Sequence, residues 1–431
     1  MNIVVVSNFY PPHTIGGYEL GCRDVVEALE RRGHRVRVLT SVHGLGRAAS
    51  DGNVHRRLAI DLRAQPRSSL AYGLSLLAAE VRGGRALLRL VGESRPDVVY
   101  LWNLRYLPLS IARLAQRLGL AVCYFVSDDW LAHWETVDRW EQWTAQRPRH
   151  PLKRALKGLV RRAGVLLRPA GRAEALDLRH VQFASGHLKQ ACLESGRAVE
   201  GSTVVHWGVD TRRFAYRDED RRDAFARGPR LLYAGQVVPS KGVDTAIDAC
   251  RLLVHTHGLA GVELTVAGGN VRPDYVERLQ AAVRDAGLAD RVRFTGRLAR
   301  ERMPALYRAH DVLVFPSVWA EPFSLTVLEA MASGLAVVGT VTGGSGEILR
   351  HGVNALVFPP EDSAACARHV RALVDRPDVY ERIRREGRRT VERGFDLERM
   401  VDAIERDLRN AAAGVTRRTP PGSPAPQGDR A

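Results

Sequence analysis

Apolar residues along this chain follow two alternating patterns. Short continuous runs, such as residues 2–6 (Asn-Ile-Val-Val-Val), stop at turn residues (Pro11, Pro12, Gly16, Gly17). A 3.6-residue periodicity then predicts a helix over 18–32, which Gly33 ends before another run at 36–40. The chain therefore opens as strand, helix, strand. Further strands are predicted at 98–101, 121–126 and 181–184, with helices over 68–93 and 107–118 between them. The second half repeats the alternation, with strands at 230–233, 263–267, 292–295, 312–315, 336–339 and 355–357. Its helices are predicted over 243–257, 274–286, 302–309, 324–333 and 363–375, and a last helical region over about 378–411.

Strands alternating with helices imply parallel sheets covered on both faces. The expected fold class is α/β, with two doubly wound, Rossmann-like domains facing an interdomain cleft. The domains are expected at 1–206 and 207–377, with the join near residues 206–214. The helical region 378–413 is expected to run back toward the first domain. The tail 414–431, rich in Pro, Gly and Arg, lacks apolar residues for packing and reads as disordered. In open α/β sheets ligands bind beyond the carboxyl ends of the strands, so candidate chemistry is sought there.

Composition narrows the class. The length of 431 residues suits two domains, and 45% hydrophobic with 26% charged residues fits a globular protein. No run of 18 apolar residues occurs, and the start lacks the basic and cleavage regions of a signal peptide. The five cysteines (22, 123, 192, 250, 366) are scattered and show no CxxC spacing, which argues against a disulfide framework or zinc site and for a reducing cytoplasm. The net charge of +16 favours anionic partners, although arginine is spread along the whole chain and forms no single footprint.

Three segments carry candidate chemistry. In residues 321–329 (Glu-Pro-Phe-Ser-Leu-Thr-Val-Leu-Glu), Pro322 disfavours helix at Glu321 and Ser324 suits an N-cap. A helix N-terminus there favours a diphosphate, and Glu321 and Glu329 are placed to accept hydroxyl hydrogen bonds on either side of it. The competing reading is an amphipathic helix with two solvated glutamates. In the second segment, Tyr233 to Gly242, Gly235 allows close backbone approach and Lys241 supplies a cation for a departing diphosphate; a surface lysine in a turn is the alternative. The order Gly-Lys-Ser/Thr is missing, so this is not a Walker loop. In the third, Gly16-Gly17 follows the first strand, either a backbone approach to ligand or a plain turn.

These pieces resemble the family-four retaining glycosyltransferases of the GT-B fold, over residues 2 to about 405 and most strongly over 230–360. The resemblance rests on Tyr10-Pro11-Pro12 with Gly16-Gly17, GHRVRVLT at 33–40, GVD-x-x-x-F at 208–214, Gly235 with Lys241-Gly242, LTVAGG at 264–269 and FTG at 294–296. The most specific stretch is HDVLVFPS-x-x-x-EPF-x-x-x-x-LEAMA-x-G at 310–334. It implies that Glu321 serves the transferred sugar and the reacting centre, that Glu329 holds the ribose, and that Lys241 contacts the diphosphate. Backbone N–H groups of Ser324, Leu325 and Thr326 would receive phosphate, and Gly16 and Gly17 would close over the donor. Gly235 and Gln236 would lie beside the diphosphate, and Gly296 and Arg297 in the nucleobase loop. The first domain would then serve the acceptor and the second the donor. The implied reaction is retaining, needs no metal and uses no cofactor beyond the nucleotide sugar as co-substrate. Three departures stand out. Gln236 stands where the family usually has arginine, which removes one cation; Ser324 stands where the family often has glycine; and Ser127 occupies a histidine position before Asp128 and Asp129. Asp128 is expected either to contact sugar or acceptor or, with Asp129, only to cap a helix.

Trp130, Trp134, Trp140 and Trp143 offer either a sugar platform or ordinary packing. Residues 147–168 carry eight Lys/Arg and no acid, with Leu152, Leu156, Leu159, Val160 and Ala163 predicted on one face and Lys153, Arg154, Lys157 and Arg161 mostly elsewhere. That is the pattern of a helix lying on an anionic membrane, or of a docked helix with a basic outer face. The expected protein is therefore a cytoplasmic hexosyltransferase, peripheral at the inner face of the plasma membrane. It would use a UDP- or GDP-sugar and a polysaccharide, lipid-linked or other envelope acceptor. A catalytically silent nucleotide-sugar binding protein and a sugar-nucleotide epimerase remain as alternatives. Nucleic acid is not an expected partner, since no recognition module is present.

Overall fold

The computed structural model describes residues 1–62, 68–167, 175–216, 222–269 and 271–416. The chain divides into two compact units: 1–183 with 189–205 and 401 onward, and 184–188 with 206–400.

The first unit is built on β1 (Asn2–Ser7), β2 (Arg35–Ser41), β3 (Ala49–Asp51), β4 (Val54–Leu58), β5 (Val98–Asn103), β6 (Ala121–Val126), β7 (Val181–Phe183) and β8 (Thr203–Val204). The sheet order is β3-β4-β2-β1-β5-β6-β7-β8. All pairings are parallel except that of β3 with β4. Strands β5 and β6 are buried at every residue, as expected of strands covered on both faces. The β3–β4 hairpin has no counterpart among the predicted strands. It is an edge element with partly exposed polar residues and contains no apolar run to detect.

The helices of this unit begin with α1 (Tyr18–Arg31), α2 (Leu70–Ser94), α3 (Ser110–Arg117), α4 (Trp134–Val137), α5 (Arg139–Ala145) and α6 (Pro151–Leu167); α7 (Gly186–Glu194) starts in the second unit and ends in the first. Helix α6 differs from its prediction. Lys157 points inward, 6% exposed, with its ammonium 4.7 Å from the Trp143 ring centre and donating to the Gln146 carbonyl. Gly164 lies against Trp140, where a Cβ would come within 2.4 Å of the ring. Val160 and Ala163 pack on the same tryptophan cluster, whereas Leu152, Leu156 and Leu159 are 63%, 42% and 64% exposed. The leucine row therefore faces outward, because Gly164 lets a different stripe of the helix make the close contact. Arg168 lies outside the described residues.

The second unit has β9 (Arg230–Ala234), β10 (Glu263–Ala267), β11 (Val292–Gly296), β12 (Val312–Phe315), β13 (Ala336–Gly339) and β14 (Leu356–Val357), all parallel, in the order β11-β10-β9-β12-β13-β14. The chain order reverses between β9 and β12, which is where such sheets bind ligands. Its helices are α8 (Arg222–Arg227), α9 (Val243–His255), α10 (Pro273–Asp285), α11 (Met303–Arg308), α12 (Leu325–Ala332), α13 (Ser363–Asp375) and α14 (Pro377–Gly394). Leu231, Leu264, Val266, Val312 and Val338 form the sheet's part of a core closed by α9 and α13.

The helical region expected over about 378–411 consists of two helices, α14 and α15 (Leu397–Thr416). The break has a backbone cause. Phe395 O accepts from Val209 N at 3.0 Å, Leu397 N donates to Val209 O at 3.1 Å, and the Asp396 carboxylate takes the Glu398 N–H at 3.0 Å. Helix α14 stays with the second unit; only residues from Val401 onward group with the first. There Glu405 accepts from Arg32 and bonds the His34 ring, at 2.9 and 3.0 Å. The part of the predicted tail from 417 lies outside the described residues.

Candidate active site

Two loops meet at the β9/β12 switch point. After β9, Pro239–Lys241 makes a single 3-10 turn ending at Gly242, whose φ is +65°. A Cβ on Gly242 would sit 2.1 Å from the Pro316 carbonyl, so the close approach of this turn to the end of β12 requires glycine. Val318 and Trp319 N–H groups donate to the Ser240 carbonyl at 3.1 and 3.0 Å, fastening the turn to the second loop. That registration brings Lys241 Nζ to 2.5 Å from Glu321 Oε1.

Glu321 is 6% exposed. Its Oε1 also accepts from the buried Ser317 hydroxyl at 2.7 Å. Oε2 has no partner among the described residues. The Glu321 backbone is fixed too: Gly344 N donates to its carbonyl at 2.6 Å, and a Cβ on Gly343 (φ +59°) would meet that carbonyl at 2.5 Å. Three residues on, Ser324 caps α12, its hydroxyl accepting from Val327 N at 3.3 Å. The N–H groups of Leu325 and Thr326 lie in the first turn, which has no intrahelical acceptors.

Glu329, one turn further, is 8% exposed. Tyr307 donates to its Oε2 at 2.9 Å, and Arg300 stands 3.8 Å from Oε1. Burial pushes the Tyr307 hydroxyl well above its ordinary range, and the adjacent carboxylate adds to this, so the phenol is held protonated as a donor. Both glutamates are thus buried and bonded, which rules out the solvated amphipathic helix. Ser317, Tyr307 and Arg300 were not among the predicted residues. Ser317 lies four residues before Glu321, at the end of the HDVLVFPS stretch that carries the resemblance, and that was its only signal.

The ends of β9, β10 and β11 converge beside this pair. Gly235 N donates to Ala267 O at 3.0 Å, Val237 N to Gly269 O at 3.2 Å, and Gly268 N to Gly296 O at 3.1 Å. A Cβ on Gly268 would clash with the Gly235 carbonyl at 1.7 Å. Gly235, Gln236 and Gly296 therefore share one rim, and Arg297 is exposed next to it, its Cβ 3.9 Å from where a Cβ on Gly269 would lie. Tyr233 donates to the Gln236 carbonyl at 2.7 Å, fixing the residue that stands at the expected arginine position.

In the first unit, Gly16 and Gly17 precede α1. The Ile15 and Gly16 N–H groups donate to the Glu19 carboxylate at 2.9 and 3.0 Å. Glu19 is fully buried, which raises its pKa although these bonds pull the other way. In the loop expected either to close over the donor or to be a plain turn, the Gly16 N–H is thus taken up by an internal carboxylate. Asp128 follows β6. It accepts from Asn103 Nδ2 at 3.1 Å, from Arg105 Nε at 2.9 Å and from Trp130 N at 3.0 Å, and Arg105 also pairs with Asp129. Asp128 therefore makes a local turn cap and an ion pair together. Ser127 Oγ, at the expected histidine place, is buried without a hydrogen-bond partner. Trp130, Trp140 and Trp143 are core residues, 0%, 4% and 0% exposed, so no four-ring sugar platform exists. Trp134 alone lines a cavity of about 1190 Å³ with Arg105, Arg113, Asp138, Glu141 and Gln142.

Among the described residues no group of three or more His, Cys, Asp or Glu is arranged to hold a metal ion. No helix among them is long and apolar enough to cross a membrane.

Two parallel-sheet units of this kind, the second carrying this cation–carboxylate loop pair, define a GT-B glycosyltransferase. Two family models match the chain: "Glycosyl transferases group 1" over residues 217–390 and "Glycosyl transferase 4-like domain" over 16–167. The chain belongs to the group 1 glycosyltransferases. It is 27% identical to a glycogen synthase of Mycobacterium tuberculosis over 423 residues, covering 94% of this chain and 93% of that one. It is 32% identical to D-inositol 3-phosphate glycosyltransferase 1 of Catenulispora acidiphila over 228 residues, 51% of this chain and 54% of that one. Two solved structures share the fold. Sucrose-phosphate synthase of Thermosynechococcus elongatus has a TM-score of 0.70 and 22% identity, covering 96% of this chain and 99% of that one. Anabaena HepE in complex with UDP-glucose has a TM-score of 0.68 and 20% identity, covering 95% of this chain and 100% of that one.

Proposed function

We propose that this glycosyltransferase moves a hexosyl group from a UDP- or GDP-hexose to a polysaccharide, lipid-linked or other envelope acceptor, with retention and without a metal ion or further cofactor. The observation that carries this reading is Lys241 and Ser317 converging on one oxygen of the buried Glu321, beside the N-terminus of α12. Lys241 neutralises charge on the leaving diphosphate, the Leu325 and Thr326 N–H groups bind its oxygens, and Glu321 Oε2 accepts a sugar hydroxyl. Glu329, oriented by Tyr307, takes the ribose. Gly235, Gln236, Gly296 and Arg297 line the nucleotide side. Donor binding redirects Lys241 from Glu321 toward phosphate, so the pair in the free protein is a resting state of the cradle. HepE in complex with UDP-glucose supports the choice of a nucleotide sugar as donor.

For the acceptor, the cavity lined by Arg105, which pairs with Asp128, offers carboxylates, amides, three arginines and one indole, a lining suited to sugar hydroxyls. The outward leucines of α6, with Lys153, Arg154, Arg161 and Arg162, support peripheral attachment to an anionic membrane at its cytoplasmic face. Hydrolysis of a panel of UDP-, GDP- and ADP-hexoses, with and without chelator, tests the donor reading. Turnover of one nucleotide series, insensitive to chelator and lost in Glu321→Ala, is expected. Turnover retained in that variant overturns the site, and turnover abolished by chelator overturns the metal-free reaction.

A further inference from the structure

Helix α2 carries Arg82, Arg85 and Arg89 on one exposed face, at the i, i+3, i+7 spacing that aligns side chains along a helix. Arg57 of β4, the strand next to the edge strand β3, faces the same groove, which has a volume of about 480 Å³ and a floor that includes Ala49 and Ala86. No carboxylate lines it. None of the four arginines has an acidic partner among the described residues; Arg57 only approaches the Ser50 hydroxyl, at 3.5 Å. The nearby Glu93 is engaged by another cation, Arg37, at 3.4 Å. His55, on the same strand as Arg57, has its pKa lowered by burial first and then by Arg57 and Arg37, with Glu93 opposing. The edge of the sheet beside the groove is therefore electropositive.

Four like charges held side by side repel one another, and an unpaired row of guanidinium groups is stabilised by an anion. From Arg82 to Arg89 the helix rises about 10 Å, longer than one phosphate spans. The alanine floor offers contact to methylene groups between the charges. We propose that this groove binds the phosphate headgroups of anionic lipids, a second membrane contact separate in sequence from α6. Helix α6 packs on α2 within the same unit. The proposal goes beyond the α6 attachment but shares its assumption of a membrane surface, so the test separates the two.

The experiment measures co-sedimentation of the full chain with phosphatidylglycerol/phosphatidylcholine vesicles and with phosphatidylcholine alone. The triple variant R82Q/R85Q/R89Q is expected to lose about tenfold or more of its partition onto the anionic vesicles, since each cation near such a surface contributes about 1 kcal/mol. R382Q/R385Q/R393Q, on exposed arginines of α14, removes the same charge elsewhere and is expected to bind like wild type. R82K/R85K/R89K is expected to keep most binding. Equal losses in the two Gln variants would mean that net charge acts without a groove and would overturn the proposal. So would unchanged binding of R82Q/R85Q/R89Q, or no vesicle binding by wild type. L152S/L156S/L159S reports on α6: loss there with none in the arginine variant leaves α6 as the sole contact, and the reverse leaves the groove as the sole contact. Inorganic phosphate and glycerol 3-phosphate at millimolar concentration distinguish the source. Tight, arginine-dependent binding of either free anion that does not extend to vesicles would assign the groove to a soluble phosphate and contradict the lipid.

Discussion

The two units place carboxylates at the carboxyl ends of parallel strands and use them in opposite ways. In the first, Glu19 is fully enclosed and its oxygens take the N–H groups of Ile15 and Gly16. In the second, Glu321 is nearly as buried, yet one oxygen gathers Lys241 and Ser317 while the other has no partner among the described residues. The first arrangement completes its own hydrogen bonds and fixes a loop. The second is left incomplete, and an enclosed carboxylate with an open acceptor beside a cation is poised for a polar, anionic ligand. Burial alone does not mark a functional carboxylate; what its oxygens still lack does.

Substitutions break this contrast in graded steps. Glu321→Ala removes the acceptor and strands Lys241, and donor turnover is expected to fall about a thousandfold, the scale of losing a principal electrostatic contact in an active site. Steady-state hydrolysis measures it, and circular dichroism should show an unchanged fold. Glu19→Ala should do the reverse. Two backbone N–H groups lose their acceptor, at a cost of about 1–3 kcal/mol each. Denaturant unfolding should show that loss, and Glu19→Gln should recover much of it by keeping an acceptor oxygen. A Glu19→Ala protein as stable as wild type would show that water replaces the carboxylate and that the loop is not self-completed.

Tyr307→Phe removes one donor from Glu329, worth about 1.5–3 kcal/mol for a hydrogen bond to a charged group. Assigned to ribose orientation, it should raise the donor KM about tenfold or more and leave kcat little changed; a fall in kcat alone would move Glu329 to the reacting centre. The smallest effect concerns pH. Burial raises the pKa of Glu405, but Arg32, Arg409 and His34 outweigh it and hold the group at about 2. Because the folded value lies below the ordinary carboxylate range of about 4.3, its contribution is complete above that range. It is lost as pH falls from there toward 2. Hydrogen exchange of α15 should rise over that window in wild type and stay flat in Glu405→Gln.

Much of the second unit was legible in the sequence because several of its strands are short, largely apolar runs, such as Val312–Phe315 before Pro316 and Ala336–Gly339 after Gly334. The predicted strands 263–267, 312–315 and 336–339 match β10, β12 and β13 residue for residue. The N-cap at Ser324 was readable from Pro322 and the apolar helix after it. The partners of the two glutamates were not. Tyr307 lies on another element, α11, Ser317 reaches Glu321 only through the fold of their shared loop, and only the β9/β12 registration brings Lys241, 80 positions away, to Glu321. The first unit was harder to read for physical reasons. Its β3–β4 edge is polar, the loop after β1 closes on Glu19 instead of staying open, and the close contact at Gly164 turns α6 so that Lys157 is buried and the leucines face out. Periodicity identified the amphipathic helix but did not show which side packs.

In the proposed donor cradle of Lys241 and Glu321, Lys241 is the principal cation because glutamine stands at position 236. Turnover of the preferred nucleotide hexose by Lys241→Ala, with unfolding monitored in parallel, tests this role most directly. A fall of about a hundredfold or more with the fold intact is expected. Turnover within a few-fold of wild type would contradict it.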